Sequence, residues 1–190
     1  MNIEKLFLEN EALLKGHFLL SSGLHSDRYL QCALILARPV HAEALGKALA
    51  QQCHAKPDLV LSPAMGGLII GQEVARVLGV RHYFTEREGG IMTLRRGFTL
   101  KPGERVLVVE DVVTTGKSTK EVFAVVRAHR AEVAGAASIV DRSEGRSELG
   151  VPYAALWTAS APAWASEDCP LCKAQLPLVK PGSRLEPKHA

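Results

Sequence analysis

Arg105 to Thr119, RVLVVEDVVTTGKST, constrains this chain more than any other stretch. Val106 to Val109 is a short apolar, mostly β-branched run, the composition of a strand buried on both faces. Glu110 and Asp111 follow, at the point where such a strand would leave its sheet. Then come Val113, Thr114, Thr115, Gly116, Lys117, Ser118 and Thr119, and after them a helical pattern with Val122, Val125 and Val126 on one face. A helix start offers free backbone N–H groups and a positive dipole end, and the hydroxyls add donors for phosphate oxygens. Gly116 allows close approach of the backbone. The two carboxylates are wrong for phosphate but suit the hydroxyls of a ribose, which they can accept in pairs. The stretch reads as a phosphate-sugar cradle.

A P-loop is excluded by counting. Gly116-Lys117-Ser118 fits the end of G-x-x-x-x-G-K-[ST], but the position of the first glycine holds Asp111, which would repel nucleotide phosphates. An ordinary buried strand followed by an N-capped helix accounts for the hydroxyls. It does not account for adjacent acids at the strand's end, which burial would penalise.

At 190 residues the chain suffices for one domain with a real core. Hydrophobic content of 47% and charge of 23% are those of a soluble globule. A net charge of +3 is too small to argue for nucleic acid. Glu4, Glu9 and Glu11 break any signal-peptide pattern, and the longest uncharged stretch, Val151 to Ser166, is too polar to span a membrane. Four cysteines do not suggest a disulfide framework. The expectation is a cytoplasmic protein that engages neither membrane nor nucleic acid.

Periodicity predicts a helix over residues 2–15 and another from His41 to His54, ended by Pro57. Residues 16–40 show no clear period. Leu59 to Leu61 reads as a buried strand, followed by the small-residue turn Ser62-Pro63-Ala64-Met65-Gly66-Gly67 and a helix carrying Ile70, Val74, Val77 and Leu78. Arg81 to Thr85 is a candidate strand, Glu86 to Gly97 a charged loop, and Phe98 to Leu100 an extended segment before Pro102-Gly103. Val133 to Val140 and Tyr153 to Thr158 complete the strands; from Ala161 the chain is proline-rich and irregular.

Strands alternating with helices imply a parallel sheet. Ligands of such sheets bind at the strands' carboxyl ends, so the turns after Leu61, Val109 and Val140 would converge on one crevice. The turn holding Ala64, Met65, Gly66 and Gly67 would be a second anion nest. Residues 1–40 and the C-terminal tail fall outside the alternation, as a hood beside a core of about residues 41–160. Cys169-x-x-Cys172 is half a zinc site; completing it would take the other subunit or Cys32 and Cys53, and the sequence assigns no metal there.

The central stretch resembles the phosphoribosyl pyrophosphate (PRPP) motif of type I phosphoribosyltransferases, with its hydrophobic run, acidic pair and T-x-G-x-[ST] turn. FLLSSGLHSDRY, from Phe18 to Tyr29, resembles the F-x-L-[KS]-S-G-x-x-S-x-x-Y signature of orotate phosphoribosyltransferases. Asp141-Arg142-Ser143-Glu144-Gly145 resembles that family's D-R-x-E-G turn. The resemblance implies an α/β type I phosphoribosyltransferase fold, a central mostly parallel sheet flanked by helices with a small hood. It implies transfer of the phosphoribosyl group of PRPP to orotate, with Mg²⁺ bound alongside PRPP. Glu110 and Asp111 would face the cationic ribose, Thr114 to Thr119 would hold the 5′-phosphate, and Arg142 would pair with the substrate carboxylate. Ser21, Ser22, Gly23 and Thr114 would complete the orotate site. The loop from Glu86 to Gly97 would be a lid reaching into the neighbouring subunit of a homodimer, with Arg87, Arg95 and Arg96 facing pyrophosphate.

The chain departs from the family pattern in the lid. Lysines common at the position of Ser21 and in the pyrophosphate turn are absent, as is the R-K-x-x-x-x-H core of the lid. One of the three lid arginines must therefore substitute. A purine phosphoribosyltransferase, or a PRPP-sensing transcription regulator on the same fold, is the alternative reading.

Overall fold

A computed structural model describes residues 1–20, 23–54, 56–159 and 162–181. Its centre is a six-stranded sheet of order β5-β4-β3-β6-β7-β8. The strands are β3 (Leu59–Pro63), β4 (Arg81–Glu88), β5 (Ile91–Leu94), β6 (Arg105–Val113), β7 (Glu132–Asp141) and β8 (Tyr153–Thr158). All neighbours pair in parallel except β4 and β5. Helices α3 (Pro39–Gln52) and α4 (Gly67–Leu78) cover one face, and α5 (Lys117–Ala128) the other.

Strand β6 shows why both faces must be covered. Val106 and Val108 join Leu61, Val122 and Phe123 in one apolar cluster, while Leu107 and Val109 join Val60, Ile70 and Val74 in the other. With period-2 alternation, that requires the continuous apolar run the sequence carries.

The chain leaves β3 toward β4 on one side and returns to β6 on the other, so the sheet order switches between β3 and β6. A crevice opens at such a switch point. Pairing of β6 with β3 stops at Leu61↔Val108, whereas pairing with β7 runs on to Val113↔Asp141. Glu110 to Val113 therefore overhang the crevice, supported from one side only.

The hood differs from the sequence expectation. Helix α1 (Ile3–Glu9) stops well short of residue 15, and the chain enters a hairpin of β1 (Leu13–Leu19) and β2 (His25–Leu30), followed by α2 (Cys32–Leu36). Asn10 closes α1 by donating its side-chain amide to the Leu6 carbonyl at 2.8 Å. Leu13 and Leu14, spaced as if on a helix, instead pair with Leu30 and Tyr29 across the hairpin.

The tail docks on both edges of that hairpin. Trp164 exchanges backbone hydrogen bonds with His25 at 2.8 and 2.9 Å, and Val179 bonds to His17 and Leu19 at 2.8 and 2.9 Å. A short helix, α6 (Pro170–Lys173), lies between them. Among the described residues, no helix is long and apolar enough to cross a membrane.

The expected charged loop from Glu86 is also strand. β4 continues to Glu88 and turns through Gly89 and Gly90, φ 56° and 85°, into β5. Two successive positive φ values give the hairpin turn that glycine pairs favour. Phe98 forms no strand; it stacks on Tyr83, ring centroids 4.3 Å apart.

Candidate active site

The acidic pair sits inside β6 rather than beyond it, and strand alternation sends its members to opposite faces. Glu110 turns toward α5, where its Oε1 accepts the Thr119 hydroxyl at 2.6 Å. Asp111 turns toward α4, where its carboxylate lies against Gly66. The period of two thus separates the pair expected to accept ribose hydroxyls, one carboxylate on each face of β6.

Burial pushes Glu110 up to about 7; Asp111 nearby adds to the rise, and the Thr119 hydrogen bond and the Arg87 charge oppose it. Burial also raises Asp111, opposed by backbone N–H groups of Val112 and of Asp111 itself.

The two turns expected to hold anions lie at neighbouring strand ends. Ala64 to Gly67 close β3, the Ala64–Met65 peptide is cis, and the Ala64 N–H donates to the Thr85 carbonyl at 2.8 Å. A β-carbon on Gly67 would lie 2.8 Å from the Val109 carbonyl oxygen, so glycine is what lets this turn rest on β6. On the far side of Asp111, Gly116 begins α5 in the left-handed region, φ 72°, with no side-chain cap. The Lys117 N–H makes one long bond to the Thr115 hydroxyl at 3.4 Å, and the N-cap glycine leaves the start of α5 otherwise open to an anion.

Within that turn, the side chains of two residues expected at the phosphate are committed elsewhere. Val113 is buried in the sheet and its carbonyl accepts the Arg142 N–H at 2.8 Å, so it supports the site without lining it. Thr119 is buried as well, its hydroxyl committed to Glu110. Thr114 and Thr115 line the crevice, and Lys117 and Ser118 open α5.

A cavity of about 600 Å³ extends from Thr114 and Thr115. Leu20, Leu24 and Pro162 give it apolar walls; Arg142 and Ser143 give it polar ones. Asp141 shapes this end, its carboxylate accepting the N–H of Ser143 at 2.7 Å and of Gly145 at 3.2 Å. That Asx-type turn presents Arg142. The Arg142 guanidinium donates through Nη2 to the Ser26 hydroxyl at 3.2 Å, while its buried Nε has no hydrogen-bond partner. Burial lowers its pKa, against the charges of Asp27 and Tyr29. A half-buried cation with unspent donors is suited to a carboxylate. Ser21 and Ser22 lie outside the described residues, and Gly23, φ 85°, carries the hairpin turn beside Leu24.

The three lid arginines all find acidic partners. Arg96 makes two bonds to Glu86 at 2.7 and 2.8 Å, and Arg95 pairs with Glu88 at 3.4 Å. Arg87 pairs with Glu121 of α5 and donates to the Gly90 carbonyl at 2.8 Å. Its charge acts on Glu110, which singles it out from the other two.

Ser26, whose hydroxyl accepts from Arg142, is a positioning residue that sequence reasoning did not assign. Tyr29 lies within electrostatic reach of both Asp111 and Arg142, joining the two ends of the crevice. The spacing of the FLLSSGLHSDRY segment contained that signal. Glu121, which holds Arg87, left no signal in the sequence, because it reads as an ordinary exposed helix residue.

Comparison with known proteins matches residues 38–154 to the phosphoribosyl transferase domain. The chain is 53% identical over 187 residues to the orotate phosphoribosyltransferase of Carboxydothermus hydrogenoformans, covering 97% of this chain and 98% of that protein. It is 55% identical over 183 residues to the orotate phosphoribosyltransferase of Pelotomaculum thermopropionicum, covering 96% of each. This chain belongs to the orotate phosphoribosyltransferase family. The crystal structure of orotate phosphoribosyltransferase from Aeropyrum pernix superposes with a TM-score of 0.70 at 30% identity, covering 82% of this chain and 93% of that one. The type I phosphoribosyltransferase fold and the family read from the sequence are thereby established.

Proposed function

We propose that this chain transfers the phosphoribosyl group of PRPP to orotate, giving orotidine 5′-monophosphate and pyrophosphate. The observation that carries the reading is Arg142, a half-buried cation with an unpartnered Nε in the wall of the cavity that begins at Thr114. A carboxylate-bearing planar base fits between it and the apolar walls.

PRPP would lie across β6. The N-terminus of α5 takes the 5′-phosphate, and the Gly66–Gly67 turn takes pyrophosphate on the other side of Asp111. The ribose then spans the overhanging end of the strand. N1 of orotate forms its bond to C1′ as the bond from C1′ to the pyrophosphate oxygen breaks; the electron pair leaves with pyrophosphate, which takes up the proton given up by N1. Cationic character on the ribose is stabilised by the fixed carboxylates of Glu110 and Asp111. Asp111, beside the pyrophosphate turn, would offer an oxygen donor to a Mg²⁺ ion carried by PRPP. When bound, the ion neutralises charge on the departing pyrophosphate.

Arg87 serves the site of its own chain, where it lies close enough to Glu110 to act on its charge. The lid would close over the site of a second copy in a homodimer. Ile91, 72% exposed at the hairpin tip, is the apolar surface such a copy would cover. Sedimentation at assay concentration tests the dimer; a monomer overturns it. Mass spectrometry of the products from PRPP, Mg²⁺ and orotate tests the reaction, with the nucleotide and pyrophosphate expected in equal amounts.

A further inference from the structure

Cys169 and Cys172 were left without metal partners by the sequence. Cys32 and Cys53, the ligands considered there, sit elsewhere: Cys32 is buried in the core and Cys53 packs against it. The structure instead brings His17 and His25 to the two thiols, with all four ligand atoms within 4.8 Å of one another. Among the described residues this is the one group of three or more such side chains that could hold a metal ion.

The convergence follows from the hairpin and the tail. Leu19 pairs opposite His25, and His17 lies at the irregularity of β1 between Lys15 and Phe18, which brings its Nε2 to 2.9 Å from His25 Nδ1. The tail's bonds at Trp164 and Val179 then lay Cys169 and Cys172 over that face. Residues more than 150 positions apart meet at hydrogen-bond range.

We propose that His17, His25, Cys169 and Cys172 form a structural Zn²⁺ site that staples the C-terminal segment to the N-terminal hairpin. A tetrahedral centre with Zn–S of about 2.3 Å and Zn–N of about 2.05 Å has S···N edges of about 3.6 Å and N···N edges of about 3.3 Å. His17 Nε2 lies 3.5 Å from Cys169 Sγ and 3.6 Å from Cys172 Sγ. Cys172 Sγ lies 3.2 Å and His17 Nε2 2.9 Å from His25 Nδ1, edges that need open by only a few tenths of an ångström. The outer shell is in place too. His17 Nδ1 lies 2.9 Å from the Leu176 carbonyl, where an N–H donates and leaves Nε2 free to ligate. Two thiolates and two imidazoles in a closed, largely buried set select Zn²⁺ over hard cations.

The staple reaches the substrate cavity without touching substrate. The segment it anchors carries Pro162 and Ala163 into the cavity wall, and the Pro162 carbonyl accepts the Ser26 hydroxyl at 2.8 Å. Ser26 in turn accepts from Arg142. The four ligands are thus positioning residues for the base site.

The test is metal analysis of the full chain, purified under reductant with Zn²⁺ supplied and then desalted. The expected result is one Zn²⁺ per chain, released by a thiol-modifying reagent. Replacement by Co²⁺ should give the d–d bands of a tetrahedral centre together with thiolate-to-metal charge transfer. Cys172→Ser should lose the charge-transfer intensity in proportion, and His17→Asn should weaken Zn²⁺ retention. Because a variant can fail to fold, the wild-type chain carries the decision. Folded wild-type protein that retains no Zn²⁺, and whose Co²⁺ spectrum is that of the aqueous ion, overturns the proposal.

Discussion

The Asp111 carboxylate closes over Gly66 so tightly that a β-carbon at residue 66 would lie 2.5 Å from Oδ1. The turn at the end of β3 and the acid at the end of β6 are built against each other, across the point where the sheet order switches. Gly66→Ala must therefore displace either the carboxylate or the turn. A displacement of about 1 Å in a positioned group costs roughly 100-fold in rate. We expect kcat/KM for PRPP to fall by about that factor while the variant remains folded by circular dichroism; an unchanged kcat/KM would show that the contact positions nothing.

Glu110 links catalysis and stability to pH with opposite signs. Its carboxyl is pushed up to about 7 from 4.5. The ionised form is the one that stabilises the ribose cation, so kcat/KM should rise with pH and level off above about 7. Between 4.5 and about 7 the folded chain holds a proton that the unfolded chain has lost, so stability falls as pH rises across that window and is flat above it. The loss is on the order of 3 kcal/mol. Glu110→Gln should abolish activity and remove this part of the pH dependence, measured by urea unfolding at a series of pH values. A variant that kept the wild-type slope would assign it to another group.

Arg87 and Arg96 carry the same charge on one hairpin but should behave differently. Arg87 lowers the pKa of Glu110, while the charge of Glu121, its partner, raises it. Arg87→Ala removes the first effect and unmasks the second, so the acidic limb of the rate profile should move to higher pH. Arg96→Ala, which frees only Glu86, should leave that limb in place. Overlaid pH profiles of the two variants decide the matter.

Arg142 should separate function from stability. A hydrogen bond to a charged group contributes about 1.5–3 kcal/mol, so Arg142→Leu should raise the KM for orotate by roughly 10- to 150-fold. Its buried, unpartnered Nε is a cost to the fold, and an apolar side chain relieves it. Thermal unfolding should show no loss of stability. A large fall in Tm with an unchanged KM would make Arg142 structural.

What the sequence disclosed was local. The strand, acids, turn and helix of residues 105–128 are contiguous, so their order alone places an anion site at a strand's end. The hood was not legible, because its structure is made by distant partners. Leu13 and Leu14 carry helical spacing, yet their pairing with Leu30 and Tyr29 overrides it. His17 and His25 gave no metal signal beside Cys169 and Cys172, since only the docking of the tail brings them together. The lid reads as a loop in the sequence because its strand is charged, and strand recognition from sequence depends on an apolar face that an exposed hairpin lacks.

Substrate choice tests the central claim most directly. Initial rates with PRPP and Mg²⁺ should be measured for orotate, uracil, hypoxanthine and adenine under identical conditions. We predict turnover with orotate and none detectable with the bases that lack a carboxylate. Turnover of a purine, or tight PRPP binding with no turnover of any base, would contradict the account and point to a purine enzyme or a PRPP sensor on the same fold.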